Sequence, residues 1–567
     1  MQSRRTRFLC RARYAAERID KEDPMRRCLI NLTRFGDLLQ TQPVIRAFRE
    51  QGDEVSLICL ENFAPAAELL DGLEQVLPLP GGSILAGLSR DWRLCADDLA
   101  AWLREARARL RPDEVFNLTP SAGARLLGRL MAFPTERDAS PANLAGFGMD
   151  AHGFGRNSSP WGSYVQAVTA RRGCSPFNLT DGFFRMAGCS GVPDASLRSP
   201  SEDAAAQARA LLRETSEQSA PSGSGEAYVG FQLGASAEAR RWPEEHFAAL
   251  GRMLWEQARL RPLLLGSPEE RDLAARCLAL GCPGIDLTGR TSLPVLAAVL
   301  RQCRLIVTND TGTMHLAAGL GVPVLALFLA TAQPWDTGPY REGSCSLEPR
   351  MDCHPCPFNA PCPHAHACRQ AVSPETAAGL VLSRLRGGTW EAGPDARREA
   401  RVWLSLRDGE GFMNLRSLSG DDESERGLWF RVQRGFYRHF LDAWTRDAAQ
   451  DARREKFSAP APESLSVFPP GSPCRERIFS TAEKASAMLL LALEQGRLLG
   501  LRPTERSRTA FLATCSRLAG IFSDSPDFVP LSLLWRTALQ EHGGDLPAVF
   551  RFFELLRGEL SSLTRRD

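Results

Sequence analysis

The chain has no stretch of about 20 apolar residues, the length a helix needs to cross a bilayer. Its nearest run, Ala485 to Leu493, is too short and reads as one face of a buried helix. It also has no excess of one charge: 69 basic residues stand against 67 acidic ones, a net of +2, so no global field draws it to nucleic acid. No secretory leader is expected either, since the first segment shows neither an unbroken apolar stretch of roughly 7–15 residues nor a small-residue cleavage site. Export is therefore not expected. The Asn-x-Ser/Thr triplets at Asn31, Asn117 and Asn178 then read as structural or chance features and not as glycan acceptors. Most of the 16 cysteines sit in apolar runs, as Cys28, Cys59, Cys189, Cys303 and Cys515 do, and read as reduced core residues.

What is present suits an ordinary globular protein folded in water, with 43% hydrophobic and 24% charged residues. At 567 residues the chain exceeds one core, and roughly 150 residues per domain implies three or four units, or fewer large ones. Residues 1–24 form a basic extension carrying Arg4, Arg5, Arg7, Arg11, Arg13, Arg18 and Lys21. Such a segment is expected to be solvated, with peripheral contact to anionic headgroups as the alternative.

From Met25 the chain alternates short apolar runs with amphipathic segments: Cys28 to Leu32, Asp37 to Gln51, Val55 to Leu60, Val76 to Leu79, Trp102 to Leu110 and Glu114 to Leu118. This rhythm predicts βαβ units and a Rossmann-like domain over 25–215. The Ser/Gly/Pro-rich stretch 216–225 has linker composition. A second Rossmann-like domain is predicted over 226–387, with strands at Ala227 to Gln232, Arg261 to Leu265, Gly284 to Asp286, Leu305 to Thr308 and Val324 to Phe328. Beyond Gly387 the pattern reads as helix only, with Trp429, Val432, Phe436, Phe440 and Trp444 on one face, giving a helical domain over 388–567. Packing within that unit accounts for its aromatic stripe, and docking of a protein partner is the alternative.

The chemistry concentrates at strand ends. After the run Leu305 to Thr308 come Asn309, Asp310, Thr311, Gly312, Thr313, Met314 and His315, then an Ala/Leu-rich helix. A strand passing through small polar residues into a helix presents backbone N–H groups at the positive helix end, where a diphosphate binds. Gly312 permits close backbone approach, and Thr311 and Thr313 supply hydroxyls. The opposing reading makes Asn309 and Asp310 helix caps and His315 a core residue. Gly234 and Ser236 follow the domain's first strand, Arg240 and Arg241 precede a helix opened by Pro243, and Glu269 and Glu270 follow the second strand. Open parallel sheets bind ligands on that side. In the first domain, Gly36 and Asp37 follow the strand ending at Leu32; Asp37 caps a helix or, projecting into a cleft, serves as a general base.

On these residues the chain resembles glycosyltransferase family 9, the ADP-heptose:lipopolysaccharide heptosyltransferases. The matching segments are Ile30 to Arg46, Gly234 to Pro243, Gly266 to Arg271 and Val307 to Phe328. The resemblance implies a GT-B architecture, two Rossmann-like domains facing a cleft, with an ADP-heptose donor held mainly by the second and inversion without a metal or other cofactor. It makes Asp37 the base, puts Arg240 where the family carries a lysine near the donor phosphates, sets Asp310, Thr311, Gly312 and His315 on the donor loop, and brings Glu270 to the nucleoside. It implies a glycan or glycolipid acceptor such as the lipopolysaccharide core, and a cytoplasmic place at the inner face of the inner membrane. Where the family commonly reads Phe-Gly-Pro-Thr near the donor, this chain has Phe328, Leu329, Ala330 and Thr331, which leaves open another donor with a protein acceptor, or a nucleotide-sugar-binding module without turnover. Cys353, Cys356, Cys362 and Cys368 form the one cysteine cluster; a structural zinc is one reading of it, although the spacing is not that of a usual finger.

Overall fold

The computed structural model describes residues 24–133, 141–169, 171, 173–218, 227–357, 360–449 and 463–565. The basic extension thus lies outside the described residues except for Pro24. So does the linker from 219 to 225, while residues 216–218 complete the helix Glu202–Gln218.

The first sheet contains β1 (Arg26–Asn31), β2 (Glu54–Leu60), β3 (Gln75–Leu79), β4 (Glu114–Asn117), β5 (Asn143–Met149) and β6 (Gly155–Asn157), in the order β3-β2-β1-β4-β5-β6. All neighbours are parallel except β5 and β6. The second contains β7 (Ala227–Gln232), β8 (Leu260–Leu265), β9 (Ile285–Asp286), β10 (Cys303–Asn309), β11 (Val324–Leu327), β12 (Cys345–Pro349), β13 (Ala400–Arg407) and β14 (Met413–Ser417), in the order β14-β13-β12-β11-β10-β7-β8-β9. Strands β8 and β11 are buried at every position, as expected where helices cover both faces of a parallel sheet. The strand order reverses between β1 and β4 in one sheet and between β7 and β10 in the other, and these reversals open the crevices in which doubly wound sheets hold ligands.

The expectation of helix alone after Gly387 needs correction. Strands β13 and β14 extend the second sheet, β13 pairing antiparallel with β12 and β14 with β13. Strand β14 is short, β13 with its eight residues is the longest of the described strands, and both are half-buried and carry arginines, Arg401, Arg407 and Arg416, so neither reads as an apolar run. Helices follow at Glu425–Ala449, Pro473–Leu501, Glu505–Ser523, Val529–His542 and Leu546–Leu563. The stripe Trp429, Val432, Phe436, Phe440 and Trp444 is buried among them, where Trp444 lies 4.8 Å from Phe552 and Trp535 stacks on Phe553 at 5.0 Å. Core packing therefore accounts for it.

The helical unit bridges both sheets. Glu541 accepts hydrogen bonds from the Asn157 N–H (3.0 Å) and the Ser163 hydroxyl (2.8 Å), and the Trp161 indole donates to Asp442 (2.8 Å), all to first-domain residues. On the other side Arg426 pairs with the fully buried Glu348 of β12 at 3.0 Å. A second bridge runs from Asp181, on the first-domain helix Leu179–Met186, to the Tyr340 hydroxyl (2.5 Å) and the Met413 N–H (3.1 Å). Burial pushes the carboxyls of Asp181 and Glu541 up to about 7, only partly opposed by their hydrogen bonds and nearby arginines.

Because the folded chain holds these two protons more tightly than the unfolded chain, the associated stability is complete below about pH 4 and is lost as pH rises through about 7. Glu541→Gln keeps an acceptor for Asn157 and removes that loss. The variant is expected to gain on the parent from about pH 5.5 to pH 8.5, by at most about 3 kcal/mol, in thermal unfolding. A deficit at both pH values would show that the fold needs the ionised carboxylate.

Candidate active site

The site forms around the β7/β10 crossover, and its organiser is Asn309 at the end of β10. This side chain is fully buried. Its amide donates to the carbonyls of Leu233 (2.9 Å), Gln232 (3.3 Å) and Gly234 (3.3 Å), while its oxygen accepts the Trp242 N–H at 2.9 Å. One carboxamide thus fixes both the loop leaving β7 and the turn that leads into helix Glu244–Ala258. It does not cap the helix Gly312–Gly319, where the N-cap position falls to Thr311.

A second chain of hydrogen bonds joins the start of helix Gly312–Gly319 to the loop after β8. Thr313 donates to the Gln232 side-chain oxygen (2.9 Å), the Gln232 amide donates to Glu270 (3.3 Å), and Glu270 also accepts the Ser267 N–H (2.9 Å). The Glu270 carboxylate fills the space that a Cβ would occupy at Gly234 and lies 2.6 Å from the corresponding point at Gly266. Glycine at both positions therefore lets Glu270, and not Glu269, turn inward. Gln232 did not stand out in the sequence, because a lone glutamine at the end of an apolar strand carries no motif.

Arg240 donates to the Ser236 hydroxyl (2.9 Å) and forms an ion pair with Asp310. Its Nε is buried with no hydrogen-bond partner among the described residues. Asp310 is thus a counter-ion, and the guanidinium retains one inward donor.

Asp37 lies on the helix Phe35–Leu39, which opens with Arg34 at its N-cap, so Asp37 is not the cap. The turn before it is shaped by Asn31, whose amide donates to the Asp37 carbonyl (3.3 Å) and to Thr41 (2.8 Å). The Asp37 carboxylate is half-exposed and has no hydrogen-bond partner among the described residues. Asn31, Asn117 and Asn178 are all buried and hydrogen-bonded, consistent with the structural reading of those triplets.

The two domains meet at this turn. A Cβ on Gly36 would lie 2.9 Å from the Gly312 Cα and 3.1 Å from the His315 ring, and a Cβ on Gly312 would overlap the Phe35 ring. The close approach that Gly312 permits is thus made by the first domain. Gln40 reaches His315 at 3.4 Å, and Thr180 donates to Gln40 at 3.3 Å; these three residues and Tyr340 line a small cavity. His315 therefore faces the first domain. Thr331 is half-exposed on the loop after β11 and takes no part in the bonds that join the other loops. In that loop Ala330 adopts a left-handed φ of 53°, and its carbonyl accepts the Cys356 N–H at 2.8 Å.

Burial and the neighbouring Cys353, Cys368 and Cys362 raise the Cys356 thiol above its ordinary range. Among the described residues, no group of three or more His, Cys, Asp or Glu side chains is arranged to hold a metal ion. No helix among those residues is long and apolar enough to cross a membrane.

Residues 151–365 match the family model described as Glycosyltransferase family 9 (heptosyltransferase). Lipopolysaccharide heptosyltransferase 1 of Pseudomonas aeruginosa is 37% identical over 140 residues, covering 25% of this chain and 39% of that protein. Lipopolysaccharide heptosyltransferase 2 of Escherichia coli is 34% identical over 108 residues, covering 18% and 30%. The chain thus spans well under half the length of these curated relatives. A solved Escherichia coli ADP-heptose lipopolysaccharide heptosyltransferase II is similar at 19% identity with a TM-score of 0.44, covering 64% of this chain and 98% of that one.

Gly312→Ala should drive the new methyl into Phe35 and cost roughly 1–3 kcal/mol of stability. Phe35→Ala in the same chain should recover most of that loss in thermal unfolding. Strictly additive losses would mean that the ring and Gly312 do not touch.

Proposed function

We propose that this chain, which carries a glycosyltransferase family 9 segment at residues 151–365, is an inverting, metal-independent glycosyltransferase. On this reading it moves a heptose or related sugar from an ADP-sugar to a lipopolysaccharide-core or other glycan acceptor. The observation that carries the proposal is the meeting of three bonded loops around the β7/β10 crossover with the turn that bears Asp37. The heptose donor and lipopolysaccharide acceptor come from what the matched relatives are named for.

Glu270 accepts hydrogen bonds from the nucleoside sugar. Arg240 and the N–H groups at the start of helix Gly312–Gly319 receive the diphosphate, which shares Arg240 with Asp310. Asp37 takes the proton of the acceptor hydroxyl as its oxygen attacks the anomeric carbon, opposite the leaving group. The new glycosidic bond forms as the sugar–diphosphate bond breaks, ADP leaves with the electron pair, and configuration inverts. Arg240 and the loop N–H groups stabilise the charge that develops on ADP.

One observation favours a second reading. Ala330 stands where the related motif has proline, and a φ of 53° is closed to proline. This loop therefore follows its own path, as a nucleotide-sugar-binding module without turnover, or an enzyme with another donor, would allow.

Calorimetric titration with ADP, ADP-heptose, UDP-sugars and GDP-sugars, with and without EDTA, separates the readings. The expected result is an EDTA-insensitive preference for ADP ligands, and a UDP or GDP preference would overturn the donor. Arg240→Ala should weaken ADP about tenfold. Asp37→Ala should spare ADP binding and lower transfer by about 100-fold or more; retained turnover would remove Asp37 as the base.

A further inference from the structure

Gln232 ends β7 with its side chain turned inward, 5% exposed, while its carbonyl accepts the Asn309 amide at 3.3 Å. A long carboxamide buried at the end of an apolar strand needs a partner for its oxygen and another for its nitrogen. It has one of each, and their chemistry settles which way the amide points. An ionised carboxylate only accepts, so the atom that meets Glu270 Oε2 at 3.3 Å is the Gln232 nitrogen. The oxygen then faces Thr313, whose hydroxyl donates to it at 2.9 Å. Thr313 is itself buried, in the first turn of helix Gly312–Gly319.

The consequence falls on Glu270, whose two carboxylate oxygens are not equivalent. Oε2 takes the N–H groups of Gln232 and Ser267, the latter at 2.9 Å as half of a capping box on the turn Pro268–Glu270. Oε1 has no hydrogen-bond partner among the described residues and occupies the space that a Cβ would fill at Gly234. Glu270 is only half-buried, so packing does not fix its last torsion, which is soft in glutamate. With Ser267 as its one donor the carboxylate could turn and exchange its oxygens. A second, charge-assisted donor from the strand side holds one oxygen to the protein and leaves the other as a bare acceptor.

We infer that Gln232 is a positioning residue, which holds Glu270 so that Oε1 meets a hydroxyl of the ligand's ribose, and which ties that acceptor through Thr313 to the turn that receives the diphosphate. The inference rests on the donor reading proposed above and adds to it a side chain that acts through Glu270.

The test is calorimetric titration of the full chain with ADP, 2′-deoxy-ADP and 3′-deoxy-ADP, on the parent, Gln232→Met, Glu270→Ala and the variant that combines them, with thermal unfolding alongside. Gln232→Met keeps the side-chain length and removes both bonds. Gln232→Met/Thr313→Val also removes the hydroxyl that methionine leaves unpaired, and takes the place of the single variant if that one melts early. The parent is expected to bind ADP about tenfold more tightly than one of the two deoxy analogues. In Gln232→Met that preference should shrink to about threefold or less, because ADP weakens while the deoxy analogue does not. Added to Glu270→Ala, Gln232→Met should cost less than about threefold more. Equal weakening of ADP and both deoxy analogues would show a purely structural role and overturn the inference, as would losses that add in the combined variant, or an ADP affinity indifferent to Gln232→Met. A parent that binds ADP with no ribose preference would overturn it and leave the donor reading standing, whereas a parent that binds no ADP would overturn both.

Discussion

The candidate site depends on one buried carboxamide. At the β7/β10 crossover the chain must leave two adjacent parallel strands in different directions, which strands backbone carbonyls away from any ladder partner. Asn309 meets three of them and the Trp242 N–H. A buried polar group left without a partner costs roughly 1–3 kcal/mol, so the loops have few alternative arrangements with Asn309 in place. Arg240, Ser236 and Glu270 stand on the backbone so fixed.

Around that anchor the charges are balanced before any ligand enters. Arg240 is matched by Asp310, and Glu270 is held by Gln232 and the Ser267 N–H. On the function proposed above, a site prepared in this way loses little freedom when it binds, and an incoming diphosphate shares Arg240 with Asp310. The first domain meets the second here by contact: Phe35 and Gly36 press on Gly312, and Gln40 reaches His315.

Much of this was legible in the sequence. Nine strands announced themselves as apolar runs between helical segments, and the glycines and small polar residues at their ends marked the loops now found together. Other features were not legible, for physical reasons. Strand β6 has three residues, none strongly apolar. Strands β13 and β14 carry arginines on half-buried faces, so the period-two signal is faint. Gln232 acts through hydrogen bonds to residues distant in sequence and Asn31 through bonds within its own turn, and one-dimensional spacing does not register these. The orientation of His315 toward Gln40 could not be read either, since a helical position says which way a side chain points only once its neighbour is known.

The antiparallel pair β13 and β14 changes what the C-terminal region is. Those strands cover the open side of β12, and the helices beyond them hold Glu348 through Arg426. An unprotected strand edge is a template for pairing with other chains. The segment after Gly387 is accordingly tied into the second sheet before its helices begin, and a cut at that point would leave the edge of β12 bare.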